Sequence, residues 1–161
     1  FNYTYAGDIN GDGSGLNDLI YVPTTSEIGS MNFSGGASMG EAFDNFIKQD
    51  DYLSGRRGNY AERYGALAPW RGKWDVKFIQ ELKLSETNSI QFTADILNFG
   101  NLINSDWGLV QQPDAVQPIG VTVDGTGTPT YTFSEDLKST YVYDSSLLSR
   151  WQVQFGVRYS F

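Results

Sequence analysis

The chain has no cysteine and no histidine among its 161 residues. Disulfide frameworks, thiol nucleophiles, imidazole bases and the usual zinc sites are thereby excluded. Basic residues are scarce as well, 11 Lys and Arg against 19 Asp and Glu, for a net charge of −8. Nucleic-acid binding needs clustered positive charge, so it is excluded too. No apolar run approaches the ~20 residues of a transmembrane helix. Barrel strands hide their apolar residues by alternation, so this leaves a β-barrel open. Phe1 is not a Met and no signal peptide follows it, which reads as a processed chain or a fragment.

Turn formers and aromatics are abundant instead: 18 Gly, 10 Tyr, 10 Phe and 4 Trp point to an all-β fold. The clearest strand is RWQVQFGVRYSF, 150–161. Trp151, Val153, Phe155, Val157, Tyr159 and Phe161 occupy every second position, with polar or small residues between. Roughly ten to twelve alternating residues suffice for a tilted strand to cross a bilayer. The same pattern suits a long edge strand of a soluble β-sandwich. Its C-terminal aromatic alternation, with Trp151, Phe155, Val157, Tyr159 and Phe161, resembles the assembly signal of bacterial outer-membrane barrels.

Two further strands are expected at 73–85 and 89–99, and FNYTY at 1–5 reads as the tail of a fourth, over about 1–6. Glu86-Thr87-Asn88 would join the middle pair as a three-residue hairpin with Asn88 left-handed. Face matching then sets Ser85 against Ser89, Leu82 against Phe92 and Phe78 against Ile96. On the polar face Lys77 falls diagonal to Asp95, an ion pair suited to a wet lumen. Runs at 119–124 and 130–134 flank GTGTP and predict a small hairpin outside the main sheet.

Between the strands lie two long excursions, 7–72 and 100–149. In the first, Asp8, Asn10 and Asp12 are spaced by two, Gly13 follows and Asp18 comes later, like the first half of an EF-hand or dockerin calcium loop. The twelfth position is Leu19, not Glu, so a Ca2+ site and a plain Asx-rich turn both stay open. Ser38 with Glu41 forms a capping-box pattern for one short helix reaching about Gln49. Arg56, Arg57, Arg63 and Arg71 are expected to pair with Asp50, Asp51 and Glu62 rather than to hold an anionic ligand.

Long loops on one side and a short turn on the other is the asymmetry of an outer-membrane barrel. If the C-terminus is periplasmic, both excursions are extracellular. Nine of the acids fall in 7–72 and six in 100–149, so fifteen of nineteen lie in the loops. Trp74 and Trp151 then stand at the outer girdle, and Tyr159 and Phe161 at the inner one.

GDINGDGSGLNDLIYVP at 7–23, FIKQDDYLSGRRGNYAERYGALAPWRGKWDVKF at 46–78, QFTADILNFGNLINSDWG at 91–108 and SRWQVQFGVRYSF at 149–161 carry a resemblance. Together they resemble the C-terminal part of Bacteroidota TonB-dependent outer-membrane transporters, in particular the Oar-like group related to SusC- and RagA-type importers. The resemblance implies a transmembrane antiparallel barrel on the order of 22 strands, of which 1–161 would be the last part. It also implies an N-terminal plug contacting TonB, an extracellular lipoprotein lid, and import of an oligopeptide, glycan or other large ligand. The plug and most of the wall lie outside this sequence. Four strands cannot close a barrel, and an open edge in lipid costs several kcal/mol per unsatisfied backbone group.

The alternative is a secreted, calcium-stabilised β-sandwich acting as a carbohydrate-binding or adhesin module, with exposed Trp and Tyr stacking on sugars. An enzyme is not expected. Asp75, Glu81 and Asp95 share a face, but Lys77 and Lys83 are interleaved with them, and no nucleophile motif, phosphate loop or cofactor fingerprint occurs.

Overall fold

The computed structural model describes residues 1–161, in which strand outweighs helix. The chain divides into two compact units. The first comprises Phe1–Ala68 and Pro113–Val142, the second Pro69–Gln112 and Tyr143–Phe161.

In the first unit, strand β1 (Tyr21–Val22) pairs antiparallel with β2 (Asn59–Tyr60). Three helices lie between them: α1 (Thr25–Ile28), α2 (Ala37–Gln49) and α3 (Asp51–Ser54). Gly40, Phe43, Phe46 and Ile47 recur at helical spacing on α2, so one face is buried. Phe133 lies 5.3 Å from Phe43 and 5.5 Å from Phe46, ring to ring. Around these rings Tyr3, Ile20, Val22, Leu53 and Ile119 are fully buried. Each large side chain withdrawn from water contributes about 1.5–3 kcal/mol.

Residues 1–6 do not form a strand of the main sheet. Thr4 bridges Leu19 and Ala6 bridges Gly120, and the burial of Tyr3 and Tyr5 draws the segment into the first unit's core. Gly7 makes the close approach to Val121 feasible: at φ 139° it sits where a Cβ would come within 2.1 Å of Val121 O. The two excursions therefore supply a core of their own instead of loops around one short helix.

The Ser38/Glu41 capping box is absent. Gly36 is the N-cap of α2 and makes no side-chain bond, while the box forms one helix earlier, between Thr24 and Glu27 of α1. Single-turn helices α1 and α3 escape detection by periodicity because four residues span little more than one turn.

The second unit is built on a three-stranded antiparallel sheet, β3 (Val76–Lys83), β4 (Ser89–Leu97) and the C-terminal strand, in that order. After β4 come α4 (Phe99–Ile103) and β5 (Gln111–Pro113). The hairpin β6 (Ile119–Val123) and β7 (Pro129–Phe133) forms apart from the main sheet, as expected, yet it buries Ile119, Val121 and Phe133 in the first unit's core. Strand β8 (Tyr141–Tyr143) pairs with β5, and β9 (Gln152–Ser160) completes the main sheet.

The β3–β4 register is two residues away from the expected one. Leu82 faces Ile90, Phe78 faces Ala94, and Lys77 is directly opposite Asp95 rather than diagonal to it. The connection runs over five residues, Leu84–Asn88. The N–H groups of Leu84 and Ser85 both donate to Asn88 O, while Ser85 Oγ accepts from the N–H of Thr87 and Asn88. Ser85 thus closes the turn and cannot extend the ladder, and Asn88 has no positive φ. A shift of two keeps every side chain on its expected face.

Candidate functional site

The sheet is the chemically distinctive surface. Four cross-strand rows line one face: Val76–Ile96–Val153, Phe78–Ala94–Phe155, Gln80–Phe92–Val157 and Leu82–Ile90–Tyr159. Eleven of these twelve residues are apolar or aromatic. The opposite face carries Lys77–Asp95–Gln154, Ile79–Thr93–Gly156, Glu81–Gln91–Arg158 and Lys83–Ser89–Ser160. Gly156 gives room to Thr93, whose Oγ1 would lie 2.5 Å from a Cβ there.

The apolar face is exposed to a degree that water does not tolerate in a stable core. Phe155 is 77% exposed, Val157 70% and Phe78 61%. An apolar face on a sheet normally packs on another layer. Strands β3 and β9 are both sheet edges, each with one side unpaired.

The alternating residues of the C-terminal strand share one face. Phe155, Val157 and Tyr159 lie on the apolar face, with Trp151 and Phe161 flanking β9 in the same alternation. The Tyr159 and Phe161 rings stack at 5.9 Å. From Trp151 to Phe161, residue steps of about 3.3 Å give about 33 Å along the strand. Tilted by about 45°, this covers a height near the ~25 Å apolar band of an outer-membrane barrel. Lys77 Nζ approaches Asp95 Oδ1 at 3.2 Å on the polar face.

The two ends of the sheet differ. At one end stand the five-residue turn and Phe161; from the other, all three strands continue into longer segments. That second end carries a tryptophan cleft of about 420 Å3 that sequence reasoning missed, lined by Trp70, Trp74, Trp107 and Asn98. Trp74 and Trp107 meet edge to face at 6.3 Å. Asn98, left-handed at φ 53°, donates from Nδ2 to Gly108 O, and its backbone N–H donates to Asp75 Oδ1 at 2.8 Å. The only sequence sign of it is the Asn- and Gly-rich stretch NFGN, 98–101, where the alternation of the strand stops.

In the first unit, Asp8, Asn10, Asp12 and Asp18 do converge on one loop. Asp8 accepts from the N–H of Gly11, Asp12 and Gly13, and Asp12 Oδ1 accepts from Ser14 N–H. Asn10 Nδ2 donates to both the Asp12 and Asp18 carboxylates. These bonds to Ser14, Asn17 and Asn10 hold the Asp12 carboxyl below its ordinary range. The arrangement is a network of Asx turns, and no group of three or more acidic side chains is disposed to hold a metal ion.

Of the four arginines expected to pair with acids, Arg56 and Arg57 do so, while Arg63 and Arg71 make no ion pair. Arg56 binds Glu62 at 3.0 Å as expected. Arg57 binds neither Asp50 nor Asp51. It binds Asp44 Oδ1 at 2.8 Å and Pro23 O at 2.9 Å, fastening α2 to the segment after β1. Asp50 is instead enclosed by hydroxyls, and Asp51 opens α3.

No family model, curated protein or solved structure matches this chain.

Proposed function

We propose that the chain is a wall segment, with associated extracellular regions, of a TonB-dependent outer-membrane transporter that imports a large nutrient such as an oligopeptide or glycan. The observation that carries this reading is the sheet: one face apolar along its length, uncovered, with both edges open. Hydrocarbon is the solvent that suits such a face, and further strands of the same barrel suit such edges. The polar face, with Lys77 paired to Asp95 and Glu81 in a row with Arg158, suits a wet lumen. The plug, TonB and an extracellular lid belong to this proposal through sequence resemblance alone.

A secreted β-sandwich would need a second layer over Phe78, Phe155 and Val157. Their exposure weighs against it.

The test is spin labelling along β9 of the chain within a bilayer-assembled barrel. Labels at 153, 155, 157 and 159 should collide with oxygen dissolved in lipid, and labels at 154, 156 and 158 with a water-soluble nickel reagent. A detergent-free, monodisperse monomer with cooperative unfolding would overturn the reading. Removing Phe161 should lower the amount of assembled barrel in the outer membrane, and undiminished assembly would remove that residue from the signal.

A further inference from the structure

The first unit contains a pocket of about 460 Å3 whose wall is dominated by four tyrosines, Tyr5, Tyr21, Tyr60 and Tyr131, with Glu27 and Asn10 at its margin. They come from four separate segments, so no periodicity announced them. Tyr21 and Tyr60 meet edge to face at 5.2 Å across the β1–β2 pair, and Tyr5 and Tyr131 lie 6.3 Å apart. Tyr60 is 64% exposed, although an aromatic ring gains most by burial.

The charge is one-sided. Glu27 accepts from the Thr24 N–H at 2.7 Å, the Thr24 hydroxyl at 2.8 Å and the Tyr21 hydroxyl at 2.9 Å. These bonds hold its carboxyl below the usual range, so it stays ionised. No Lys or Arg lines the pocket. Arg56, which donates to Tyr60 O, is already paired with Glu62. Burial pushes the Tyr5 phenol up to about 12, so that ring stays neutral, and its oxygen accepts from Tyr21 N–H at 3.2 Å.

We infer that this pocket binds an organic cation, an ammonium or guanidinium group held against the faces of Tyr60 and Tyr131 beside the Glu27 carboxylate. Cation–π attraction suits a weakly hydrated cation, and a fixed carboxylate without a competing basic group supplies the complementary charge. A neutral sugar would use the rings but gain little from Glu27. The inference goes beyond the transporter reading and does not depend on it, because every residue used lies in the first unit.

The experiment titrates the full chain in detergent micelles with choline, its neutral isostere 3,3-dimethylbutanol, L-arginine, an arginine-containing tripeptide and glucose, followed by ring NMR signals and calorimetry. Choline and arginine should bind, and the neutral isostere should bind at least about tenfold more weakly than choline. Tyr60→Phe keeps the π face and should bind choline within about twofold of wild type, whereas Tyr60→Leu should weaken it at least about fivefold. Glu27→Gln retains the capping box and should also weaken choline at least about fivefold. Tripeptide tighter than arginine points to a peptide source and the reverse to a small molecule; both support the cation site. Equal binding of choline and its isostere overturns the proposal. So does binding of glucose alone, or no response to any probe at about 10 mM, a concentration that detects even millimolar affinity.

Discussion

Thr140 donates its hydroxyl hydrogen to Asp50 Oδ2 across 2.7 Å, ninety residues apart in sequence and both buried. Tyr3 donates to the same oxygen, and Leu53 N–H donates to Oδ1 at 2.9 Å. One carboxylate thus ties the N-terminal segment, the α2–α3 junction and the segment before β8. Burial first, and then the bond to Asp50, push the Tyr3 phenol far above its ordinary value.

Replacing Asp50 with Ala would leave the Tyr3 and Thr140 hydroxyls, 2.9 Å apart, one acceptor short between them and would remove the N-cap of α3. Each unsatisfied group costs about 1–3 kcal/mol, so roughly 3 kcal/mol of first-unit stability should be lost. Tyr3→Phe removes a single bond to a charged acceptor and should cost about 1.5–3 kcal/mol. Amide exchange at Leu53 reads both effects directly. Wild-type protection in Asp50→Ala would mean that the carboxylate does not hold the junction.

Asp44 gives a pH signature. Burial works to raise its carboxyl, but hydrogen bonds from Lys48, Thr25 and Arg57 outweigh it, and the net shift is downward from 3.8. A depressed folded value means that the unfolded chain takes up the proton first as pH falls. Its contribution should therefore be complete near neutrality and fade as pH drops through about 4 and below. Asp44→Asn should lower the urea midpoint at pH 7, with the gap to wild type narrowing at pH 3. A gap independent of pH would show that the ionised form contributes nothing.

The Asp8 loop is held by its own amides, so a calcium chelator should leave the thermal midpoint of the first unit unchanged. Asp8→Ala removes the acceptor for three backbone N–H groups. These groups are exposed and water replaces part of the loss, so the cost should be about 1 kcal/mol. A drop in midpoint with chelator, restored by added Ca2+, would return a metal to Asp8, Asn10, Asp12 and Asp18.

Period-two alternation made β3, β4 and β9 legible, because each strand has one face in a single environment along its length. Even the mistaken β3–β4 register kept the faces right, since a shift of two preserves them. What escaped was decided by packing at a distance. FNYTY alternates like a strand, yet Tyr3 and Tyr5 are recruited by Asp50 and by the core around Ile20. The tyrosine pocket and the Trp70–Trp74–Trp107 cleft each gather rings from several segments, a convergence with no local pattern. Ser85, whose hydroxyl accepts from the N–H groups two and three residues on, carries a turn signal as legible as that of Asn88.

The sharpest test of the sheet compares two neighbouring positions on β9. Phe155 lies on the apolar face opposite Ala94, and Gln154 on the polar face opposite Asp95. If lipid covers the first face, Phe155→Arg places a charge near the middle of the band and should cost about 2–4 kcal/mol of barrel stability. Gln154→Arg puts the same charge beside Asp95, where an exposed pair changes stability by at most about 1 kcal/mol. Urea unfolding of the bilayer-assembled barrel, read by the loss of heat-modifiable migration, gives both numbers. In a water-soluble sheet the ranking collapses, because arginine on an exposed face costs little and removes an aggregation hazard. Equal midpoints for the two variants, or a gain in soluble yield from Phe155→Arg, would therefore reject the membrane assignment of this face.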